Sequence, residues 1–305
     1  MLSQTYKNIE INIGDNSEND ESERIFGEYR DDNRVKYYKH DKNIGALANF
    51  QFVRDMANGK YFMWAADDDY WESTFIEKAV EKLENNPEAV ACWPQVQFFD
   101  DNGVIINLPS SCYNQDLSYD SIINRLIKLN LQSSWYEFYC LIKADIVKNF
   151  DFQKYKLVGS DVIFINYIVL SGKCLFINES LFYYYYDSKN GYEKHNYKSE
   201  VYNEYARINP HLDLLINCFK IILFNEKISI HQKLLYYFKF WLKVPFKGRN
   251  WIYIIMIYPI SEFFKLAIKN KNTYIIILCF PLYFYLFYIN IKRYIKKLCC
   301  YFYIK

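Results

Sequence analysis

The chain has 305 residues, 51% hydrophobic and 24% charged, which excludes a disordered tail protein, a collagen-like repeat and a small disulfide scaffold. Its net charge of +2 conceals opposite ends: residues 1–100 carry 11 Lys and Arg against 20 Asp and Glu, and residues 211–305 carry 15 against 3. The basic residues are confined to an aliphatic and aromatic tail, which argues against nucleic acid as a partner and for an anionic membrane surface.

Met1 is followed by polar residues with no apolar h-region, so no signal peptide is expected and the chemistry is assigned to the cytoplasm. Ile9, Ile11 and Ile13 alternate with polar residues and end at Gly14-Asp15-Asn16-Ser17, a strand running into a turn. Val35, Tyr37 and Tyr38 form a second short strand. Leu47, Phe50, Val53 and Ala57 recur at helical spacing between Ile44 and the Asn58-Gly59 stop. Tyr61 to Ala66 reads as a fully buried strand that halts at Asp67-Asp68-Asp69.

Thr74 with Glu77 forms a capping-box pattern at the start of a helix running to about Asn85, and a strand from Ala89 to Phe99 leads to a turn at Asp100 to Gly103. Alternating β and α elements predict an α/β fold, a mostly parallel sheet flanked by helices, with ligands at the carboxyl ends of its strands. An amphipathic helix over 119–130 and a strand-like run from Trp135 to Ile142 come next. Residues 157–172 form an apolar helix with Ser160 and Asp161 at its mouth. A strand at Cys174 to Ile177 and the aromatic run Phe182 to Tyr186 complete a domain assigned to residues 1–210.

Residues 211–305 are expected to form a helical, membrane-associating region. Leu214 to Phe224 and Leu234 to Val244 are apolar runs punctuated by lysines, and Thr273 to Ile291 is a 19-residue uncharged stretch flanked by basic residues. Positive charge on both sides disfavours a crossing, so helices lying in the inner leaflet are favoured over a single span or a re-entrant hairpin. The eight cysteines show no CxxC pair and no His at metal spacing, so no zinc or redox site is signalled.

Three adjacent carboxylates repel one another, and a divalent cation is the natural compensation. Carboxylate oxygens suit Mg²⁺ or Mn²⁺, and a metal held by one or two of them keeps positions open for a diphosphate. An exposed acidic turn ahead of the next helix would use the same residues, and the triplet alone does not separate the two.

The order of motifs does more. Leu2 to Glu10 leading into Asp15-Asn16-Ser17, Asn43-x-Gly45-x-x-x-Asn49, Gly59-Lys60-Tyr61-Phe62 leading into Asp67-Asp68-Asp69-Tyr70-Trp71, and Gly159-Ser160-Asp161 together resemble a family 2 glycosyltransferase of the GT-A fold, over residues 1 to about 190. The resemblance implies a nucleotide-sugar donor contacted by Asp15, Asn43 and Asp67, with Asp15 matching the acid that meets the base. It implies a Mg²⁺ or Mn²⁺ ion on Asp68 or Asp69. Register from Trp71 favours Asp68 and puts Ala66 where the usual first Asp stands, while an Asp67-x-Asp69 reading favours Asp69. Asp161 matches the catalytic base, with Ser160 in place of the more usual Glu, and an N-cap role for Asp161 is compatible with that.

The implied activity is an inverting, metal-dependent transfer of sugar to a hydroxyl of a polysaccharide or glycolipid in bacterial surface-glycan synthesis, at the cytoplasmic face of the inner membrane. The family's first β-strand has no counterpart in this sequence, so an N-terminally truncated domain is expected. The alternative is a non-catalytic, membrane-associated interaction protein derived from such an enzyme. A nucleotidyltransferase shares the metal logic but would bring a Gly-rich phosphate loop, which this sequence lacks. His195, after the tyrosine run, is a candidate for an acceptor cleft.

Overall fold

The computed structural model describes residues 1–106, 116–118, 121–132, 136–155, 159–186 and 210–243. The chain divides into two units, Met1–Leu214 and Leu215–Lys305. His195 and the Thr273 to Ile291 stretch lie outside the described residues.

In the first unit β1 (Ile11–Asp15) and β2 (Val35–Lys39) pair in parallel, Ile11 opposite Val35 and Asp15 opposite Lys39. A short helix α1 (Glu21–Phe26) intervenes, and α2 (Ala46–Met56) packs on β1. A second sheet is built from β3 (Tyr61–Phe62), β4 (Tyr70–Trp71), β5 (Ala89–Phe99), β6 (Ile105–Ile106), β7 (Leu141–Lys143) and β8 (Lys173–Tyr185). Its order is β3-β7-β5-β8-β4, with β6 also on β5.

This larger sheet is mixed, which corrects the mostly parallel expectation. Among its described strands only β5 and β8 pair in parallel; β7 enters antiparallel to both β3 and β5, and β4 runs antiparallel to β8. Strand direction depends on which connections cross over, and that is set by tertiary pairing rather than by local pattern.

Helix α3 (Phe75–Glu84) packs on β5 and β8. It presents Phe75, Ala79 and Leu83 to Cys92, Val96, Phe98, Leu175, Ile177 and Phe182 in one buried cluster, each large apolar side chain contributing about 1.5–3 kcal/mol on burial. Helices α4 (Ile122–Gln132) and α6 (Ser160–Ser171) pack on each other, and α6 also lies on β5, β8 and a 3-10 turn at Tyr136–Tyr139. A short α5 (Ala144–Lys148) follows β7. Apolar nearly all round, α6 is a buried helix. Its one buried amide, Asn166, is paired with Asn130 of α4 at 2.8 Å.

Three local expectations are also revised. The strand from Tyr61 to Ala66 is only two residues long, because Trp64 leaves the sheet for an aromatic cluster with Phe62, Phe138, Phe152 and Phe164 and donates its indole N–H to the Phe50 carbonyl at 3.2 Å. The Trp135 to Ile142 run is a 3-10 turn and a three-residue strand over its described part. Thr74 makes no side-chain cap on α3; Gln4 does so from 72 residues away, its Oε1 accepting from the Ile76 N–H at 3.0 Å while its Nε2 donates to the Glu72 carbonyl at 2.8 Å. Glu77, the other half of the predicted box, accepts from the Thr5 hydroxyl at 2.7 Å.

In the second unit the end of α7 (Pro210–Leu223) and α8 (Ile230–Lys243) form a helical hairpin. Phe219 meets Tyr237 edge-on at 5.2 Å, and Ser229 and Gln232 cap α8 reciprocally, at 3.3 and 2.9 Å. Among the described residues no helix is long and apolar enough to cross a membrane.

Candidate active site

Asp15 ends β1 and is buried. Its Oδ1 accepts from the Ser17 backbone N–H at 2.8 Å and its Oδ2 from the Tyr37 hydroxyl. Burial alone would raise this carboxyl, but the hydrogen bonds from Ser17 and Tyr37 and the charge of Lys39 hold it below its ordinary value, so Asp15 is ionised.

The loops after β1 and β2 are tied together by amides. Asn16 Nδ2 donates to Asn43 Oδ1 at 2.9 Å, and Asn16 Oδ1 accepts from the Ile44 N–H at 2.8 Å. Asn43 Oδ1 also accepts from the Gly45 N–H at 2.8 Å, closing a turn in which Gly45 has φ +84°. Asn49, one turn into α2, donates to the Gly14 carbonyl at 2.7 Å. The Asn-x-Gly-x-x-x-Asn spacing is thus a device that seats α2 on the end of β1.

The acidic triplet bridges β3 and β4. Asp67 and Asp68 are exposed, and Asp69 is half-buried. Asp69 Oδ1 accepts from the Tyr185 N–H at 2.9 Å, whereas its Oδ2 is buried with no partner. Burial, followed by the charges of Asp68 and Asp67, pushes the Asp69 carboxyl up to about 7 despite the Tyr185 bond. Asp68 is raised too, by partial burial and by Asp67.

Asp161 lies in the first turn of α6, after Gly159 at φ +78°. Gly159 is the N-cap residue, so capping is not what Asp161 supplies. Burial raises its carboxyl, opposed by the Val162 N–H and its own. Tyr139 lies nearby on the turn that packs against α6. This phenol, itself raised first by burial, feels the charges of Asp69, Asp68 and Asp161. Tyr139 ends the 3-10 turn against which α6 packs, and its ring lies 6.4 Å from Trp71 and 5.7 Å from Phe182. No hydrogen bond among the described residues joins Asp15 or Asn43 to Asp68, Asp69 or Asp161.

Asp68 and Asp69 thus lie between β3 and β4, and Asp161 lies in the first turn of α6. The profile of glycosyl transferase family 2 matches residues 1–139. Residues 1–139 are a glycosyl transferase family 2 domain. An uncharacterised glycosyltransferase of Methanocaldococcus jannaschii is 26% identical over 211 residues, which are 68% of this chain and 70% of that one. The Escherichia coli UDP-Glc:alpha-D-GlcNAc-diphosphoundecaprenol beta-1,3-glucosyltransferase WfaP is 36% identical over 83 residues, 27% of this chain and 33% of WfaP. The chain spans 35% of the length of the curated relatives that it matches at 31% identity.

Among solved structures, S. aureus TarS 1-349 in complex with UDP aligns over 85% of this chain and 73% of that one, with a TM-score of 0.55 at 15% identity. The likeness establishes a GT-A-like α/β fold for this chain.

Among the described residues no three His, Cys, Asp or Glu side chains converge as a metal cage. Mg²⁺ asks for less: one or two carboxylates, with substrate phosphates and water completing the shell. The unpartnered, buried Oδ2 of Asp69 beside Asp68 fits a cation on that footing, since an orphaned carboxylate oxygen is costly unless it gains a partner. Sequence reasoning missed Tyr139, which sits in a run read as a strand and carries no motif.

Proposed function

We propose that the chain transfers a sugar, with inversion, from a nucleoside diphosphate to a hydroxyl of a polysaccharide or glycolipid acceptor, with Asp161 as general base. The observation that carries this is the family 2 match over residues 1–139, with an acidic triplet whose Asp69 keeps a buried, unpartnered Oδ2 and a second carboxylate, Asp161, in the first turn of α6. Two such acidic regions provide a diphosphate end and a proton-accepting end to one site.

In this reading Asp15 and the Asn43 turn bind the nucleotide, and Asp67 lies beside the ribose and diphosphate. Asp68 and Asp69 hold a Mg²⁺ or Mn²⁺ ion, which when bound stabilises negative charge developing on the departing diphosphate. Asp161 takes the proton from the acceptor hydroxyl. Its raised affinity for protons strengthens it as a base, and general-base catalysis contributes about 10²- to 10⁴-fold. A single displacement on the face opposite the diphosphate inverts the anomeric carbon and needs no carboxylate nucleophile.

The acceptor class is supported by WfaP, whose name specifies a diphosphoundecaprenol-linked sugar. The strongly basic residues 211–305, rich in aromatic and aliphatic side chains, are the basis for siting the reaction at the cytoplasmic face of the inner membrane.

Calorimetry with UDP, GDP and dTDP, each with and without Mn²⁺, tests the reading. One nucleotide should bind, more tightly with Mn²⁺, and Asp68→Asn combined with Asp69→Asn should abolish the Mn²⁺ gain. No binding of any nucleotide in either condition would favour the non-catalytic alternative.

A further inference from the structure

His40 directly follows β2 and holds the end of β1 in two ways. Its backbone N–H donates to the Asp15 carbonyl at 3.0 Å. Its ring Nε2 lies 3.0 Å from Asn49 Oδ1, and Asn49 Nδ2 donates to the Gly14 carbonyl at 2.7 Å. An amide oxygen only accepts, so Nε2 carries the hydrogen of the bond to Asn49. The imidazole rests edge-on against Phe52 of α2 at 4.7 Å, which fixes the plane of the ring. The two carbonyls on either side of the Asp15 Cα are therefore both held, one by His40 directly and one through Asn49.

We propose that His40 is a positioning residue for nucleotide binding, acting through Asn49 and the Gly14 carbonyl to set the direction of the Asp15 carboxylate. The inference rests on the reading of Asp15 as a nucleotide contact and adds the residue that orients it.

Three features support it. Asp15 projects from the Cα between the two held carbonyls, so a swing of either peptide unit redirects its carboxylate. His40 and the Gly14 carbonyl select the same orientation of the Asn49 amide; turned over, that amide would set its oxygen against the Gly14 carbonyl and its Nδ2 against the Nε2–H. The amide also has no slack, because a Cβ at Gly14 would lie 2.3 Å from Asn49 Oδ1. Recognition by hydrogen bonds requires a group held to within about 0.5 Å by neighbours that are themselves fixed, which is what this chain of contacts supplies.

Calorimetry on the full chain with UDP, GDP and dTDP tests the inference, using whichever nucleotide the wild type binds. His40→Leu fills the space without a donor and should raise the Kd about three- to tenfold, the size of one lost hydrogen bond. His40→Gln offers an amide N–H where Nε2 stands and should keep the Kd within about twofold of wild type. Combined with Asp15→Asn, His40→Leu should add no further loss, since it acts through the group already changed. Wild-type affinity in His40→Leu, equal losses in the Leu and Gln variants, or losses that multiply in the double variant would each overturn the proposal. Wild-type protein that binds none of the three nucleotides overturns the donor reading itself and the role of His40 with it.

Discussion

Asp69 and Tyr185 are 116 residues apart in sequence and joined by a 2.9 Å hydrogen bond from the Tyr185 N–H to Asp69 Oδ1. The third acid of the triplet is thereby fixed against the end of β8, while its other oxygen is buried and unpartnered. One side chain thus does two jobs: it orders the strand end beside the site and leaves an acceptor facing inward.

That position has a pH signature. The Asp69 carboxyl is raised to about 7, chiefly by burial. A carboxyl with a folded pKa above its unfolded value favours folding when protonated, so its stabilising effect is full below about 4 and fades as pH rises to about 7. In metal-free buffer the melting temperature of Asp69→Asn relative to wild type should rise steadily over that interval. Parallel pH profiles for the two proteins would show that Asp69 titrates normally.

Gln4 rather than Thr74 caps α3, and the two are separable by mutation. Gln4→Ala removes a donor and an acceptor that serve Glu72 and Ile76 in the interior and should cost about 1–3 kcal/mol in urea unfolding. Thr74→Ala should change stability by less than about 0.5 kcal/mol, since its side chain caps nothing. The reverse ranking would restore the local capping box.

Gly14 lets α2 approach β1. A Cβ there would lie 2.3 Å from Asn49 Oδ1 and 2.7 Å from Val53 Cγ1. Gly14→Ala should destabilise by about 1–3 kcal/mol and, by displacing Asn49, weaken nucleotide binding at the neighbouring Asp15 loop. Wild-type stability in thermal melts would mean that α2 shifts freely on the strand.

These contacts show where the sequence was legible. The strands at Ile11–Asp15, Val35–Lys39 and Ala89–Phe99 and the helices α2, α3, α4 and α6 lie close to their predicted places, because alternation and helical spacing report directly on which face is buried. The capping residue of α3, the direction of β7 and the place of Tyr139 were not legible. Each depends on a partner far along the chain, and no local pattern encodes it. Trp64 shows the same limit from the other side: an apolar run that read as strand bends because its largest member finds a better-packed site in an aromatic cluster.

The most direct test of the account is sugar transfer by Asp161→Asn, measured under saturating donor and acceptor alongside UDP affinity. The substitution keeps size and polarity and removes the proton acceptor. The account predicts that kcat falls by about 10²- to 10⁴-fold while the Kd for UDP and the melting temperature stay near their wild-type values. Transfer at the wild-type rate by a folded Asp161→Asn protein would contradict it.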